Sequence, residues 1–316
     1  MKAVFLDFAT VSHGDLDTSH LTQVLPALKL RDITADADIA SHIAEHQIVL
    51  LNKLHITREL MAGAGGLRLI VVAATGTNNI DLEAARELGI AVCNVRDYCT
   101  TSVTQHVLAV MLVLTQRLRE YAQLALRSWG ESPQFTMLDF PIRELSGRVL
   151  GVVGYGTLGR SVARAAETAL GMRVLIANRP GAERVSGRLD LHEMLPQVDV
   201  LSLHCPLTAA TRRMIGAPEL ALMKKDALLI NTARGGLIDS DALVQALRER
   251  RIGGAAIDVL EQEPPVDGSP LLASLPNYIL TPHIAWAARE ARQRCIDEMA
   301  ENIAAFLRGD ARNRVV

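Results

Sequence analysis

Three short segments gather side chains suited to gripping, polarising and protonating a small molecule. Asn231-Thr232-Ala233-Arg234-Gly235-Gly236 presents a guanidinium, permanently charged and shaped as a fork of donors for carboxylate or carbonyl oxygens. Asp258-Val259-Leu260-Glu261-Gln262-Glu263-Pro264 supplies carboxylates. Thr281-Pro282-His283-Ile284-Ala285-Trp286 supplies an imidazole, the side chain that exchanges a proton most readily near neutral pH. Taken singly, Arg234 reads as a turn residue, Glu263 as a solvated loop carboxylate and His283 as a structural histidine. Each segment, however, follows an apolar run with the character of a strand, and in open α/β sheets ligands collect beyond the carboxyl ends of the strands. Their joint arrangement after three successive strands makes the bland readings much less favoured and points to one shared site beyond the sheet.

A second motif lies upstream. Gly154-Tyr155-Gly156-Thr157-Leu158-Gly159 has the pattern G-x-G-x-x-G, follows the apolar run Val149–Val153 and precedes the helical run Arg160–Leu170. That context is the one a dinucleotide-binding turn requires. Gly154 permits the tight turn, Gly156 lets backbone N–H groups approach a pyrophosphate, and Gly159 lets the helix sit close on the sheet. The helix N-terminus then stabilises phosphate charge. An NAD site usually places Asp or Glu about 20 residues further on, where it binds the ribose 2′-OH. Asn178 stands there, followed by Arg179. Asn removes the repulsion against a 2′-phosphate and Arg can pair with it bidentately, so NADP(H) is expected as the preferred cofactor, with NAD(H) as the alternative.

The elements that would position these residues alternate along the whole chain. Strand candidates Ala3–Phe8, Ile48–Leu51, Leu67–Ala74 and Ala91–Val95 are separated by helical patterns such as Leu82–Leu88, opened by Asp81 as N-cap. A long amphipathic stretch covers about Thr101–Leu126. Arg127–Glu144 is less periodic and reads as an arm that packs on a partner subunit or as a surface loop. A second series places strands at Val149–Val153, Arg173–Ala177, Val200–His204, Ala227–Asn231, Ala255–Val259 and Ile279–Leu280, and a closing helix at about Ala287–Leu307. Six strands with a Gly-rich turn after the first suit a doubly wound dinucleotide fold.

Composition narrows the class. The 316 residues are 49% apolar and 22% charged, which suits about two globular domains and excludes disorder, collagen-like sequence and coiled coil. With 33 Lys+Arg against 35 Asp+Glu, the formal charge of −2 gives no strong field for nucleic acid or an anionic membrane surface. Cys93, Cys99, Cys205 and Cys295 form no C-x-x-C pair and read as free thiols in a reducing cytosol. The N-terminal apolar run, broken by Asp7, is too short for a signal peptide, and Val107–Leu114 is far short of a bilayer span. A cytoplasmic protein is therefore expected.

The segments around Gly154, Arg234, Glu263 and His283 resemble the D-isomer-specific 2-hydroxyacid dehydrogenases, over nearly the whole chain from about Leu50 to Phe306. Within that family, Ala74-Thr75-Gly76-Thr77-Asn78-Asn79-Ile80-Asp81 and Thr281–Trp286 are similar to bacterial glycerate dehydrogenases, also called hydroxypyruvate reductases. The resemblance implies an α/β protein of two Rossmann-like domains. A doubly wound nucleotide-binding domain, residues 99–284, is inserted in a smaller flavodoxin-like substrate domain made of residues 1–98 and 285–316. The expected hinges lie near 94–98 and 282–285, with the active site in the cleft between domains.

The resemblance also implies direct hydride transfer without a metal, reducing hydroxypyruvate or glyoxylate to D-glycerate or glycolate. Arg234, Glu263 and His283 would be catalytic; Lys53 and the N–H groups of Thr75 and Gly76 would join Arg234 and His283 around the substrate. Cofactor contacts would come from Gly154, Gly156, Thr157, Leu158, Gly159, Asn178, Arg179, Cys205, Pro206, Thr211, Thr232, Ala233, Arg234, His283 and Ala285, with Asp258 on the nicotinamide carboxamide. A homodimer through the nucleotide-binding domain is expected, with the arm at Arg127–Glu144 crossing over. Two alternatives stay open: another D-2-hydroxyacid such as D-lactate as substrate, or a dinucleotide-sensing regulator without turnover. Formate oxidation is disfavoured because that branch usually has Gln where Glu263 stands. A phosphoglycerate enzyme is disfavoured because its longer forms carry a C-terminal regulatory domain, whereas this chain ends at Val316.

Overall fold

The computed structural model describes every residue from Met1 to Val316. The chain forms two compact units, Met1–Cys99 with Trp286–Val316, and Thr100–Ala285.

In the first unit five short strands make a wholly parallel sheet: β1 (Ala3–Phe5), β2 (Leu28–Leu30), β3 (Ile48–Leu51), β4 (Leu69–Val72) and β5 (Ala91–Cys93). Their order is β2-β1-β3-β4-β5, the flavodoxin-type winding. Every residue of β1, β3, β4 and β5 is buried, as expected where helices cover both faces of a parallel sheet. Only β2 was not visible in the sequence. It is an edge strand of Leu28-Lys29-Leu30 with two exposed residues, so it carries no continuous apolar run. The final helix, Arg289–Arg308, belongs to this unit, and the tail after it returns to β5, where Val315 N–H donates to the Val92 carbonyl at 2.8 Å.

One turn of this unit is held by a buried carboxylate. Asp7, just past β1, accepts hydrogen bonds from the N–H groups of Asn52 (2.8 Å), Lys53 (2.6 Å) and Leu54 (3.2 Å). Asn79 donates to the Asn52 and Leu54 carbonyls on the same turn. Burial pushes the Asp7 carboxyl above its ordinary value, although the three N–H groups pull it the other way.

The second unit contains a six-stranded parallel sheet: β6 (Val149–Val153), β7 (Arg173–Ala177), β8 (Val200–Leu203), β9 (Leu228–Asn231), β10 (Gly254–Ile257) and β11 (Tyr278–Leu280). The order is β11-β10-β9-β8-β6-β7. The winding reverses between β6 and β8, and that switch point is where open α/β sheets bind ligands. Beyond β7 a full further strand is replaced by one bridge, Ala177 with Leu189. The unit's core joins the inward faces of these strands to Met194, Leu195, Ile215, Leu220, Leu243 and Leu247.

The stretch expected as one long helix is two. Thr100–Gln116 buries seven of its residues, and Leu118–Ser128 buries none. They part at Arg117, which takes a left-handed conformation (φ 54°) and pairs with Glu120 at 3.0 Å. The following arm has one short turn, Trp129–Glu131, and no regular structure from there to β6. Tyr121 anchors it by donating its hydroxyl to the Phe140 carbonyl at 2.7 Å. Trp129, Phe135 and Leu138 stay 55%, 93% and 80% exposed.

His204, next after β8, shares a 2.8 Å hydrogen bond with Ser202 through Nε2. Burial lowers its imidazole to about 4. The folded protein therefore holds it neutral, whereas the unfolded chain takes up a proton near the ordinary value of 6.5. The stability this gives is present above about pH 6.5 and is lost as pH falls toward 4. Between pH 7 and pH 5, wild type should lose about 2 kcal/mol more folding free energy than His204→Gln. Denaturant unfolding of both proteins at the two pH values measures this, and equal losses would contradict it.

Candidate active site

The phosphate turn follows β6. Gly154 has φ +95°, and a Cβ there would lie 2.5 Å from the His204 carbonyl group, so only glycine fits. A Cβ on Gly159 would lie 2.0 Å from the Gly154 carbonyl oxygen, which shows how closely the helix Thr157–Leu170 is seated on the turn. Gly156 differs, because a Cβ there would meet nothing within 4 Å. It is also the N-cap of that helix and provides no side-chain cap. The first-turn N–H groups, including those of Thr157 and Leu158, thus have no capping side chain and begin beside an open position, which suits the diphosphate of a dinucleotide.

The residues after β7 and β8 shape the rest of this face. Asn178 spends both ends of its amide on its own loop: Oδ1 accepts from Val185 N–H at 3.0 Å and Nδ2 donates to the Arg188 carbonyl at 3.4 Å. Arg179 pairs with no carboxylate. Cys205 is buried, and burial pushes its thiol up to about 11, so it lines the face as an inert group. Thr211 lies in the loop after β8. It is fully buried, donates to the Pro206 carbonyl at 2.8 Å and accepts from Thr208 N–H at 2.8 Å, and so braces the Cys205–Pro206 loop from beneath.

Arg234 follows β9. Buried Asn231 sets its loop, accepting from Ala233 N–H at 3.0 Å and donating to the Arg234 carbonyl at 2.9 Å. The guanidinium donates to the Ala233 carbonyl at 2.7 Å. Within the same loop the hydroxyl of Thr232 is buried and has no hydrogen-bond partner. An orphaned polar atom in a loop at the carboxyl end of the sheet fits a bound ligand that supplies the missing partner. Gly235 packs backbone to backbone on the next loop: a Cβ would lie 2.0 Å from the Leu260 carbonyl carbon. That contact seats the Arg234 loop against the one that carries Glu263, and nothing in the sequence pattern marked it.

His283 and Glu263 come together. His283 Nδ1 lies 2.5 Å from Glu263 Oε2, and Glu263 Oε1 accepts from Leu260 N–H at 2.7 Å. The His283 side chain is 30% exposed. With Nδ1 taken up by the carboxylate, Nε2 is the nitrogen left to exchange a proton with a ligand. His283 has φ 56°, and its N–H donates to the Asp258 carbonyl at 2.8 Å. The Asp258 carboxylate accepts from Thr281 Oγ1 (2.5 Å), Ile284 N–H (2.9 Å) and Ala285 N–H (2.9 Å). Two carboxylate oxygens accept about four bonds, so one acceptor position remains on Asp258 beyond these three. His106 was not anticipated; its Nε2 is 3.4 Å from Thr281 Oγ1 and 4.0 Å from Asp258 Oδ1.

In the first unit the Thr75 hydroxyl donates to the Val95 carbonyl at 2.8 Å, and the Thr75 carbonyl accepts from Asn94 Nδ2 at 2.7 Å. The N–H groups of Thr75 and Gly76 donate no hydrogen bond within the chain. Lys53 rides on the turn held by Asp7.

A doubly wound sheet with this phosphate turn, and a paired carboxylate and imidazole beyond its strand ends, defines a dinucleotide-dependent oxidoreductase. Residues 108–285 match the family model for the D-isomer specific 2-hydroxyacid dehydrogenase, NAD binding domain. The chain is 45% identical over 280 residues to a glycerate dehydrogenase of Methylorubrum extorquens, covering 88% of each protein. It is 36% identical to a hydroxypyruvate reductase of Blautia hydrogenotrophica, covering 100% of this chain and 99% of that one. A crystal structure of a Thermus thermophilus protein superimposes with a TM-score of 0.87 at 34% identity, covering 100% of both chains. The chain belongs to the D-isomer specific 2-hydroxyacid dehydrogenase family. Its activity is that of a 2-hydroxyacid dehydrogenase, and its cofactor is a nicotinamide dinucleotide.

Gly235→Ala must separate two backbones and should cost about 1–3 kcal/mol, the usual penalty for overpacking. Denaturant unfolding measures it, and unchanged stability would show that the two loops are not in contact.

Proposed function

We propose that this protein reduces hydroxypyruvate to D-glycerate, and glyoxylate to glycolate, preferring NADPH. The observation that carries the reading is the Glu263–His283 hydrogen bond beyond the strand ends of a dinucleotide-binding sheet. The two curated relatives are named for opposite directions of one interconversion, glycerate dehydrogenase and hydroxypyruvate reductase. In this reading the unit Met1–Cys99 with Trp286–Val316 is the substrate domain, and Thr100–Ala285 is the nucleotide-binding domain.

The bound dinucleotide supplies the hydride to the substrate carbonyl carbon. The protein residues divide the remaining work. Arg234 pairs with the 2-oxo acid and draws electron density toward the carbonyl oxygen. His283 Nε2 delivers a proton to that oxygen as the alcohol forms, and takes it back in oxidation. Glu263 holds Nδ1, which fixes the ring's orientation and balances the charge it carries before it gives up its proton. The unused N–H groups of Thr75 and Gly76 bind the substrate carboxylate, with Lys53 adding positive charge. Ala233 and Ala285 line the cofactor beside Thr232, whose hydroxyl gains its partner there.

The NADPH preference rests on what stands after β7. Asn178 brings no negative charge and is occupied by its own loop, while Arg179 has no carboxylate to neutralise it. A phosphate on the ribose 2′ position supplies that partner. The protein is further proposed to be a cytoplasmic homodimer. The exposed Trp129, Phe135 and Leu138 of the arm are the side chains that a partner subunit would cover.

With hydroxypyruvate as substrate, kcat/KM should be clearly higher with NADPH than with NADH; a clear NADH preference would overturn the cofactor assignment. His283→Ala should lower kcat by at least about 10²-fold, and near-normal turnover would remove it from the proton transfer. Glu263→Gln should move the acid–base limb of the pH–rate profile, and an unaltered profile would remove Glu263 from the relay.

A further inference from the structure

We propose that Arg188, stacked on Tyr155, is a second specificity-determining cation for the 2′-phosphate of NADPH, an inference that rests on the cofactor reading above. The loop from β7 to the Leu189 bridge carries three arginines, Arg179, Arg184 and Arg188. Arg184 is neutralised by Asp190 at 2.5 Å. Arg188 pairs with no carboxylate; its guanidinium instead lies over the Tyr155 ring, 5.6 Å from the centroid.

Both ends of this stack are fixed in the cofactor cradle. Tyr155 stands between Gly154 and Gly156 in the phosphate turn, where its carbonyl accepts from Arg160 Nη1 at 3.1 Å. Arg188 is tied to the end of β7: its carbonyl accepts from Asn178 Nδ2, and the next residue, Leu189, exchanges backbone hydrogen bonds with Ile176 (3.0 Å) and Asn178 (2.8 Å). The guanidinium thus spans the gap between the phosphate turn and the residue that normally reads the ribose 2′ position. An arginine stacked on an aromatic face is ordered in advance and keeps its edge donors free, so little side-chain entropy remains to be lost when an anion arrives. Burying or pairing Arg188 would have been the outcome for a purely structural residue. Here the loop leaves two cations, Arg179 and Arg188, without counter-charges beside a site where a dianionic phosphate would lie.

The test is competitive inhibition by adenosine 2′,5′-bisphosphate and by 5′-AMP, together with kcat/KM for NADPH and NADH, in wild type and Arg188→Gln. Loss of one charge-assisted contact should weaken the bisphosphate by about tenfold or more relative to 5′-AMP, and lower the NADPH:NADH ratio by a similar factor. Tyr155→Ala should shift the ratio in the same direction, because the cation loses its support. If Arg188→Gln weakens both inhibitors equally, Arg188 only braces the loop and the inference falls. If wild type prefers NADPH and Arg188→Gln keeps its ratio, the inference falls while the cofactor reading stands on Arg179. If wild type binds the bisphosphate no better than 5′-AMP, the cofactor reading fails and takes the inference with it.

Discussion

The arrangement of this site depends on one buried carboxylate. Asp258 has almost no solvent contact, and a charge in that position is tolerated only when its hydrogen bonds are made. It makes three, from the Thr281 hydroxyl and the Ile284 and Ala285 N–H groups, and its own carbonyl takes a fourth from His283 N–H. These bonds wrap residues 281–285 around the end of β10 and hold His283 in a left-handed conformation. Such a conformation costs about 1–3 kcal/mol for a residue with a side chain. The return is direction, because the imidazole meets Glu263 through Nδ1 and keeps Nε2 for a ligand.

Close approach of backbones does comparable work elsewhere in the same unit. Gly159 seats the helix on the phosphate turn, Gly154 fits the turn against His204, and Gly235 sets the Arg234 loop on Leu260. Each contact leaves no room for a Cβ, so the loop after β6 is set on the one after β8, and the loop after β9 on the one after β10, with no side chain between them. The Thr232 hydroxyl has no partner within the chain, and the helix after Gly156 has no side-chain cap; in the proposed function the dinucleotide completes both.

Much of this was legible in the sequence because a parallel sheet covered on both faces writes its strands as continuous apolar runs. Ten of the eleven strands lie where those runs stand; β2 was missed because an exposed edge strand has none. The helix pattern running through Gln116 and Leu118 hid the break at Arg117, since a single left-handed residue leaves the apolar spacing nearly intact. Within the site, Glu263 and His283 were legible as a pair, and the structure joins them. The bracing residues were not. Asn231, Thr211 and Ser202 act through loop conformation, bonding to neighbours two to five residues away, and His106 reaches Thr281, 175 residues on; residue type alone encodes neither the loop shape nor the long-range partner. Gly235 was visible only as a turn glycine, because what forbids a larger residue there is the Leu260 backbone.

In the proposed reaction a hydride goes directly to the carbonyl carbon of a 2-oxo acid and His283 supplies the proton. Reduction of hydroxypyruvate with NADPH carrying deuterium at the transferred C4 position tests it most directly, with the product examined for isotope position and chirality. D-glycerate should form with deuterium at C2 and none released to solvent. Label appearing in the solvent, an L-product, or cofactor binding without turnover would contradict it.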